Sequence, residues 1–294
     1  MPATGPSACH PERRRRSSAA RWKAASWRRP SSWGRIRAEG VGPAFTAIER
    51  EVVSCRRCPR LVAWREKSAR HPPRRFREET YWSRPLPAFG DASARLMLVG
   101  LAPAAHGGNR TGRIFTGDES GNFLFRALHA VGLANRPESI RSGDGLHLSG
   151  ALLTAACRCA PPGNRPTPEE FRRCRGYLER ELDLVAGRRV LLAFGALAFE
   201  ESLRALASVR RAPIPSPRPR FAHGVRAVLG GDTLFGCYHP SQQNTFTGKL
   251  TQAMLRGVLR RAIAESRRAA TSLGIPRAGR EDVVSRRGGR GVTS

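Results

Sequence analysis

At 294 residues the chain is long enough for one sizeable α/β core with flanking segments. Its 52 Lys and Arg against 23 Asp and Glu leave a formal net charge of +29, so a polyanion is the first partner to consider, and binding should weaken as salt rises. No apolar run approaches the ~20 residues of a membrane helix, and the first forty residues lack the apolar segment of a secretory signal, so the expectation is a cytoplasmic protein with no membrane partner.

In chain order, residues 1–40 carry Arg13 to Arg16, Trp22, Trp27 and Trp33 with few aliphatic residues and no period. This stretch reads as a basic, disordered N-terminal tail. Phe45, Ile48 and Val52 fall on one helical face and lead into Cys55. A basic, aromatic, proline-rich loop follows from Trp64 to Phe89. Arg95–Leu101 then reads as a buried strand, residues 102–118 as a long Gly-rich loop, and Phe123, Leu124, Ala127, Leu128 and Val131 as the apolar stripe of a helix. Ala151–Ala156 is a second strand. It runs into a polar loop and a helix opened by Thr167-Pro168-Glu169-Glu170, where Thr167 and Glu170 match a capping box and Pro168 the first helical position. Val190–Phe194 is a third strand with its helix, and Thr233–Tyr238 a fourth, followed by a polar loop and a final helix from Leu250 to Ile263. Residues 41–264 thus predict one domain, and residues 265–294 a basic, disordered C-terminal tail.

Strands alternating with helices predict an α/β fold, a three-layer α/β/α sandwich on a central, mainly parallel, four-stranded sheet. The loops after the first, second and fourth strands then open on one carboxyl edge of the sheet and can share one site. In the first loop, Gly107, Gly108, Gly112 and Gly117 permit close backbone approach, so the N–H groups of His106 to Thr111 could cradle a phosphate. Asp118, at the mouth of the next helix, can be a cap or a catalytic carboxylate. His239 stands directly after the fourth strand. No Walker sequence or dinucleotide fingerprint is present, which counts against an NTPase or a dehydrogenase.

Seven cysteines, an odd number, suit a reducing compartment better than a disulfide framework. Cys55 and Cys58 form a C-x-x-C pair, and fourteen residues separate Cys159 from Cys174. Four such thiolates can hold zinc or an iron-sulfur cluster, and spacing alone leaves the two open. Cys157 reads as a small apolar group of the strand run, Cys237 as part of the fourth strand, and Cys9 as part of the tail.

Taken together, GLAPAAHGGNRTGRIFTGD (100–118), CAPPGNRPTPEE (159–170) and HPSQQNTFTGKLT (239–251) resemble the uracil-DNA glycosylase superfamily, specifically its family 5 branch. The resemblance runs from about Cys55 to Arg261. It implies a [4Fe-4S] cluster on Cys55, Cys58, Cys159 and Cys174, and a monofunctional enzyme that flips uracil, or another deaminated or damaged base, out of double-stranded DNA and hydrolyses its N-glycosidic bond. It further implies that Asp118 and His239 are catalytic and that Gly100, Ala102, Pro103, His106, Asn109, Phe115 and Asn244 bind the substrate. Within that set Phe115 stacks on the base, and Gln242, Gln243 and Asn244 sit on a loop that enters the minor groove. Ala102 stands where many superfamily members carry a water-activating Asp or Asn, which leaves Asp118 as the replacement. Ala155 stands where a related branch places an Asn that reads the uracil edge. The chain is expected to act as a monomer. A second reading is a non-catalytic iron-sulfur protein that binds nucleic acid through its Arg-rich surface.

Overall fold

The structure is a computed structural model that describes residues 42–184 and 189–271. The tail predicted for residues 1–40 lies outside the described residues. Two helices, α1 (Pro43–Ser54) and α2 (Pro59–Arg70), precede the sheet. Each opens on a proline, whose missing N–H costs nothing at a first helical position. The sheet then builds from β1 (Phe89–Gly90), β2 (Leu96–Gly100), β3 (Ala151–Ala155), β4 (Val190–Phe194), β5 (Arg226–Leu229) and β6 (Asp232–Cys237). Between and after the strands run α3 (Gly108–Thr111), α4 (Glu119–Ala130), α5 (Pro168–Asp183), α6 (Ala196–Arg210), α7 (Gln242–Phe246) and α8 (Gln252–Thr271).

The strand order is β1-β3-β2-β4-β6-β5. The four predicted strands are the central ones, β3, β2, β4 and β6, and all pair in parallel. Each edge carries one antiparallel strand that the sequence reading lacks, so the sheet has six strands rather than four. The β5–β6 hairpin turns on Gly230 and Gly231, both at positive φ, which is the backbone that a two-residue hairpin turn requires.

Side chains alternate across the central strands, as the pleat dictates. Leu96, Leu98, Leu153, Leu192 and Phe194 face one layer with residues of α4 and α8 such as Phe125 and Leu259. Met97, Val99, Leu152, Leu191 and Ala193 face the other, with residues of α5 and α6 such as Leu178 and Phe199. Burying both faces of a parallel sheet is what makes these strands continuous apolar runs. The predicted capping box at Thr167 and Glu170 is present, with both reciprocal hydrogen bonds. The last helix runs on to Thr271, past the boundary predicted at residue 264, and Glu265 there pairs with Arg226 of β5 at 2.7 Å. Residues 272–294 of the predicted tail lie outside the described residues. Among the described residues no helix is long and apolar enough to cross a membrane.

Candidate active site

The first loop begins where β2 ends, at the buried Gly100. A Cβ there would sit 2.6 Å from Phe115 Cε2, so only glycine lets this ring lie against the strand end. Phe115 itself has φ 52°, a left-handed conformation that non-glycine residues seldom adopt and that clusters at functional sites. Gly121 makes room for it, since a Cβ at that position would meet the Phe115 carbonyl oxygen at 2.1 Å. The Phe115 ring meets Phe194 of β4 edge-on at 5.6 Å and lies 5.7 Å from the His239 ring, tilted by 33°. The first and last polar loops therefore face each other on the carboxyl edge predicted for them.

Arginines brace the first loop from within. Arg110 donates to the carbonyls of His106 (2.8 Å) and Gly117 (2.9 Å), pairs with Glu79 and lies 3.9 Å from the Phe76 ring centre. Arg113, almost fully buried, donates to Thr116, Ser139 and both carboxylate oxygens of Asp144. Burial alone would push Asp144 up, but Arg113 and three backbone amides hold its carboxyl well below the usual range. Asn109 is buried, and its Nδ2 donates to the Arg65 carbonyl (3.2 Å) and to the Ala105 carbonyl (3.3 Å). Pro103 is buried and Ala102 half-buried beside them. His106 Nδ1 lies 2.9 Å from the Tyr81 hydroxyl. Burial and the nearby Arg75 and Arg110 lower the His106 pKa, which favours the neutral ring. With Tyr81 as the donor, the ring proton sits on Nε2.

Asp118 caps the next helix with one carboxylate oxygen and turns the other toward the loop. Its Oδ1 accepts from the Gly121 amide at 2.9 Å and caps α4. Its Oδ2 points back over the loop, so close that a Cβ on Gly107 would lie 2.2 Å away. Burial raises the Asp118 pKa against the pull of the Gly121 and Ser120 amides.

The other two polar loops start beside the first. Ala155 pairs in register with Gly100, and the Ala156 and Cys157 amides donate to the Gly100 and Leu101 carbonyls at 2.9 Å each. His239 follows β6, where burial pushes its pKa down to about 4 and leaves a neutral ring. Asn244 turns its Nδ2 onto the His239 carbonyl at 2.8 Å, so its amide group fixes the loop that carries the histidine. Gln242 and Gln243 are exposed on α7, and Phe246 at its end is 77% exposed.

Five cysteines line one small cavity: Cys55, Cys58, Cys157, Cys159 and Cys174. Cys55 ends α1, Cys58 opens α2, Cys159 follows β3 and Cys174 lies within α5. Chain segments far apart in sequence thus converge there. Cys157 is fully buried, as its apolar reading requires, but it also faces this cavity, and its Sγ lies 3.6 Å from the Cys159 carbonyl. The surroundings mix donors with apolar groups: Arg65 Nη1 lies 3.1 Å from Cys159 Sγ and the Arg158 amide 3.3 Å from Cys174 Sγ, while Leu61, Val62 and Pro85 line the rest. Among the described residues, no three His, Cys, Asp or Glu side chains converge tightly enough to hold a single metal ion. A set of thiols with N–H donors beside them is chemistry that suits a sulfide cluster, because the donors compensate thiolate charge.

Sequence reasoning missed Arg65, Tyr81, Arg110, Arg113 and Phe246. Arg110 and Arg113 lie inside the Gly-rich motif, where polar groups turned away from water need donors, and that need was the available signal. Tyr81 and Arg65 come from segments whose approach to the loop has no local signature.

An α/β/α sandwich on a mixed, mainly parallel sheet, with an aromatic ring, a neutral histidine and a carboxyl group at its carboxyl edge, matches a known class. The family model described as the uracil DNA glycosylase superfamily matches residues 87–262, and the chain belongs to that superfamily. It is 51% identical to the type-5 uracil-DNA glycosylase of Thermus thermophilus over 217 residues, which cover 74% of this chain and 95% of the relative. Over 210 residues it is 51% identical to the type-5 uracil-DNA glycosylase of Mycobacterium bovis, covering 71% of this chain and 76% of that protein. A type-5 uracil-DNA glycosylase of Pyrobaculum aerophilum is 46% identical over 215 residues, 73% of this chain and 90% of its own length.

Proposed function

We propose that the protein is a monofunctional uracil-DNA glycosylase that flips uracil out of double-stranded DNA and hydrolyses its N-glycosidic bond, the first step of base excision repair. The observation that carries this reading is the facing pair of Phe115 and His239 rings across the carboxyl edge, with Asp118 Oδ2 over the same loop. A stacked base cannot be reached, so it has to be extruded, at a cost of a few kcal/mol that stacking and backbone grip offset. Phe115 supplies the flat face for the extruded base. The neutral His239 ring donates a hydrogen bond to a pyrimidine carbonyl as negative charge builds on the leaving base. Asp118, its Oδ1 held by the cap, uses Oδ2 to orient water and to stabilise the cationic sugar, as carboxylates do in glycoside hydrolysis. Ala102 and Ala155 offer no side-chain hydrogen bond to the base, which favours tolerance of other deaminated or damaged bases. Gln242, Gln243 and the exposed Phe246 form the tip that can fill the gap left in the duplex.

Cys55, Cys58, Cys159 and Cys174 would hold a [4Fe-4S] cluster, whose contribution is to pin α1 and α2 to the loop after β3 and to α5. The support is the all-thiol donor set and the resemblance of the spacing. Free thiols of this kind suit the reducing cytoplasm. One chain carries all three loops, so a monomer suffices.

The test is a duplex with one uracil, incubated with the protein and then treated with alkali. A break at the uracil, absent from a thymine control, is expected. A strand that stays whole, with saturable binding, would return the protein to the class of nucleic-acid-binding proteins without turnover.

A further inference from the structure

We infer that Arg65 is a positioning residue that ties the cysteine cavity to the catalytic loop. The inference rests on the proposed reading of the cysteines as cluster ligands, and it adds a consequence for the chemistry. Arg65 lies in the middle of α2, the helix that Cys58 opens, and is 2% exposed. Its guanidinium reaches Cys159 Sγ at 3.1 Å and the Cys55 carbonyl at 3.4 Å, while its Nε has no partner. A buried cation is costly unless an anion compensates it, and Cys159, as a cluster ligand, would be the thiolate it touches.

The other end of the same residue holds the loop. The Arg65 carbonyl accepts from Asn109 Nδ2 at 3.2 Å and from the Ser83 hydroxyl at 3.4 Å. Ser83 in turn donates its amide to the Asn109 carbonyl at 3.0 Å, closing a small ring of bonds around the start of the motif. The apolar packing runs the same way. Leu101 and Ala102, the first two residues of the loop, pack in one cluster with Cys58 and Cys159. The cavity and the catalytic loop thus share one wall, and Arg65 bonds to both sides of it. A shift of α2 on loss of the thiolate contact moves the acceptor of Asn109, and with it the short helix that carries Gly107 under Asp118.

The contact to Asn109 comes from the Arg65 backbone, so it survives any substitution, and a variant changes only where that carbonyl sits. The experiment compares wild type with Arg65→Met and Arg65→Lys at matched iron and sulfide content. Two readouts are followed: hydrogen exchange of the Asn109 to Gly112 amides, and the single-turnover excision rate against duplex affinity. In Arg65→Met, exchange in that segment should quicken while β2 and β4 keep their protection. The excision rate should fall roughly 10–100-fold with affinity little changed, the size expected when reacting groups are displaced by about an ångström. Arg65→Lys, which keeps the charge and one of the two contacts, should lie between. Stripping the cluster from wild type should reproduce the Arg65→Met exchange pattern, and stripping Arg65→Met should add little to it.

Unchanged exchange at Asn109 to Gly112 in Arg65→Met would overturn the inference. So would equal loss of protection in the loop and the sheet, which marks Arg65 as structural only; if Arg65→Met does not fold, Arg65→Lys carries the same comparison. A wild-type protein without iron or sulfide would refute the cluster reading instead, and the exchange comparison of the two proteins would still decide whether Arg65 holds the loop.

Discussion

The cysteine cavity and the carboxyl-edge site are built in opposite ways. The cavity draws its thiols from two helix ends, one loop and one helix interior, and its neighbours are arginines and apolar side chains. The edge site draws Phe115, Asp118 and His239 from the segments after β2 and β6, and its geometry depends on places where a side chain is missing, at Gly100, Gly107 and Gly121. The first arrangement suits a device that holds distant segments together, and the second a pocket that must admit a flat ligand closely. In such a molecule, damage to the edge should cost rate before stability, and damage to the cavity should cost stability and metal.

Asp118→Asn is the sharpest way to break that contrast. Asn caps a helix as well as Asp does, so α4 should persist while the carboxylate is lost. Single-turnover excision should fall roughly 10²–10⁴-fold with duplex affinity and melting temperature little changed. A variant with unaltered activity would reduce Asp118 to its cap. His239→Gln comes next, with an expected loss of about 10²–10³-fold, the usual range for one preorganised donor to a developing anion. Binding that fell in step with rate would show that the ring only holds the ground state. On the cavity side, Cys58→Ser should lose iron and visible absorbance together and lower the melting temperature, as read by iron assay and thermal denaturation. Retention of the full metal content would remove Cys58 from the ligand set.

The smallest effect concerns Glu49 of α1, whose pKa is raised from 4.5 to about 7 by burial and by the nearby Glu181. Between those two values the folded protein binds a proton that the unfolded chain has released. The resulting stabilisation is complete below pH 4.5 and is lost as pH rises through about 7. Glu49→Gln should therefore raise the melting temperature more at pH 8 than at pH 5, and an equal shift at both would contradict the assignment.

What the sequence disclosed follows the same division. The central strands were readable because burial on both faces makes each a continuous apolar run, and the capping box at Thr167 fixed the start of α5. β1 is two residues long and carries no pattern. β5 is an edge strand with alternating exposure, and its Gly230-Gly231 turn was the signal for a hairpin. At the edge, the meeting of the loops that carry Phe115 and His239 was legible from strand and loop order, and the cap at Asp118 from its place before α4. The part played by Asn244 was not, because an amide that fixes a neighbouring carbonyl leaves no trace in spacing. Nor could spacing bring Cys157 to the cavity beside the other four thiols, or Arg65 between cavity and loop. Those placements depend on how α2 crosses the chain that follows β3, which is a tertiary fact.

The most direct measurement of the central claim is the release of free uracil from a duplex carrying a single uracil, followed under single turnover with strand continuity recorded on the same sample. The expected result is one free uracil per duplex, with the strand unbroken until alkali is added. Absence of free base above that from a thymine control, with the protein folded and bound to the duplex, would contradict it.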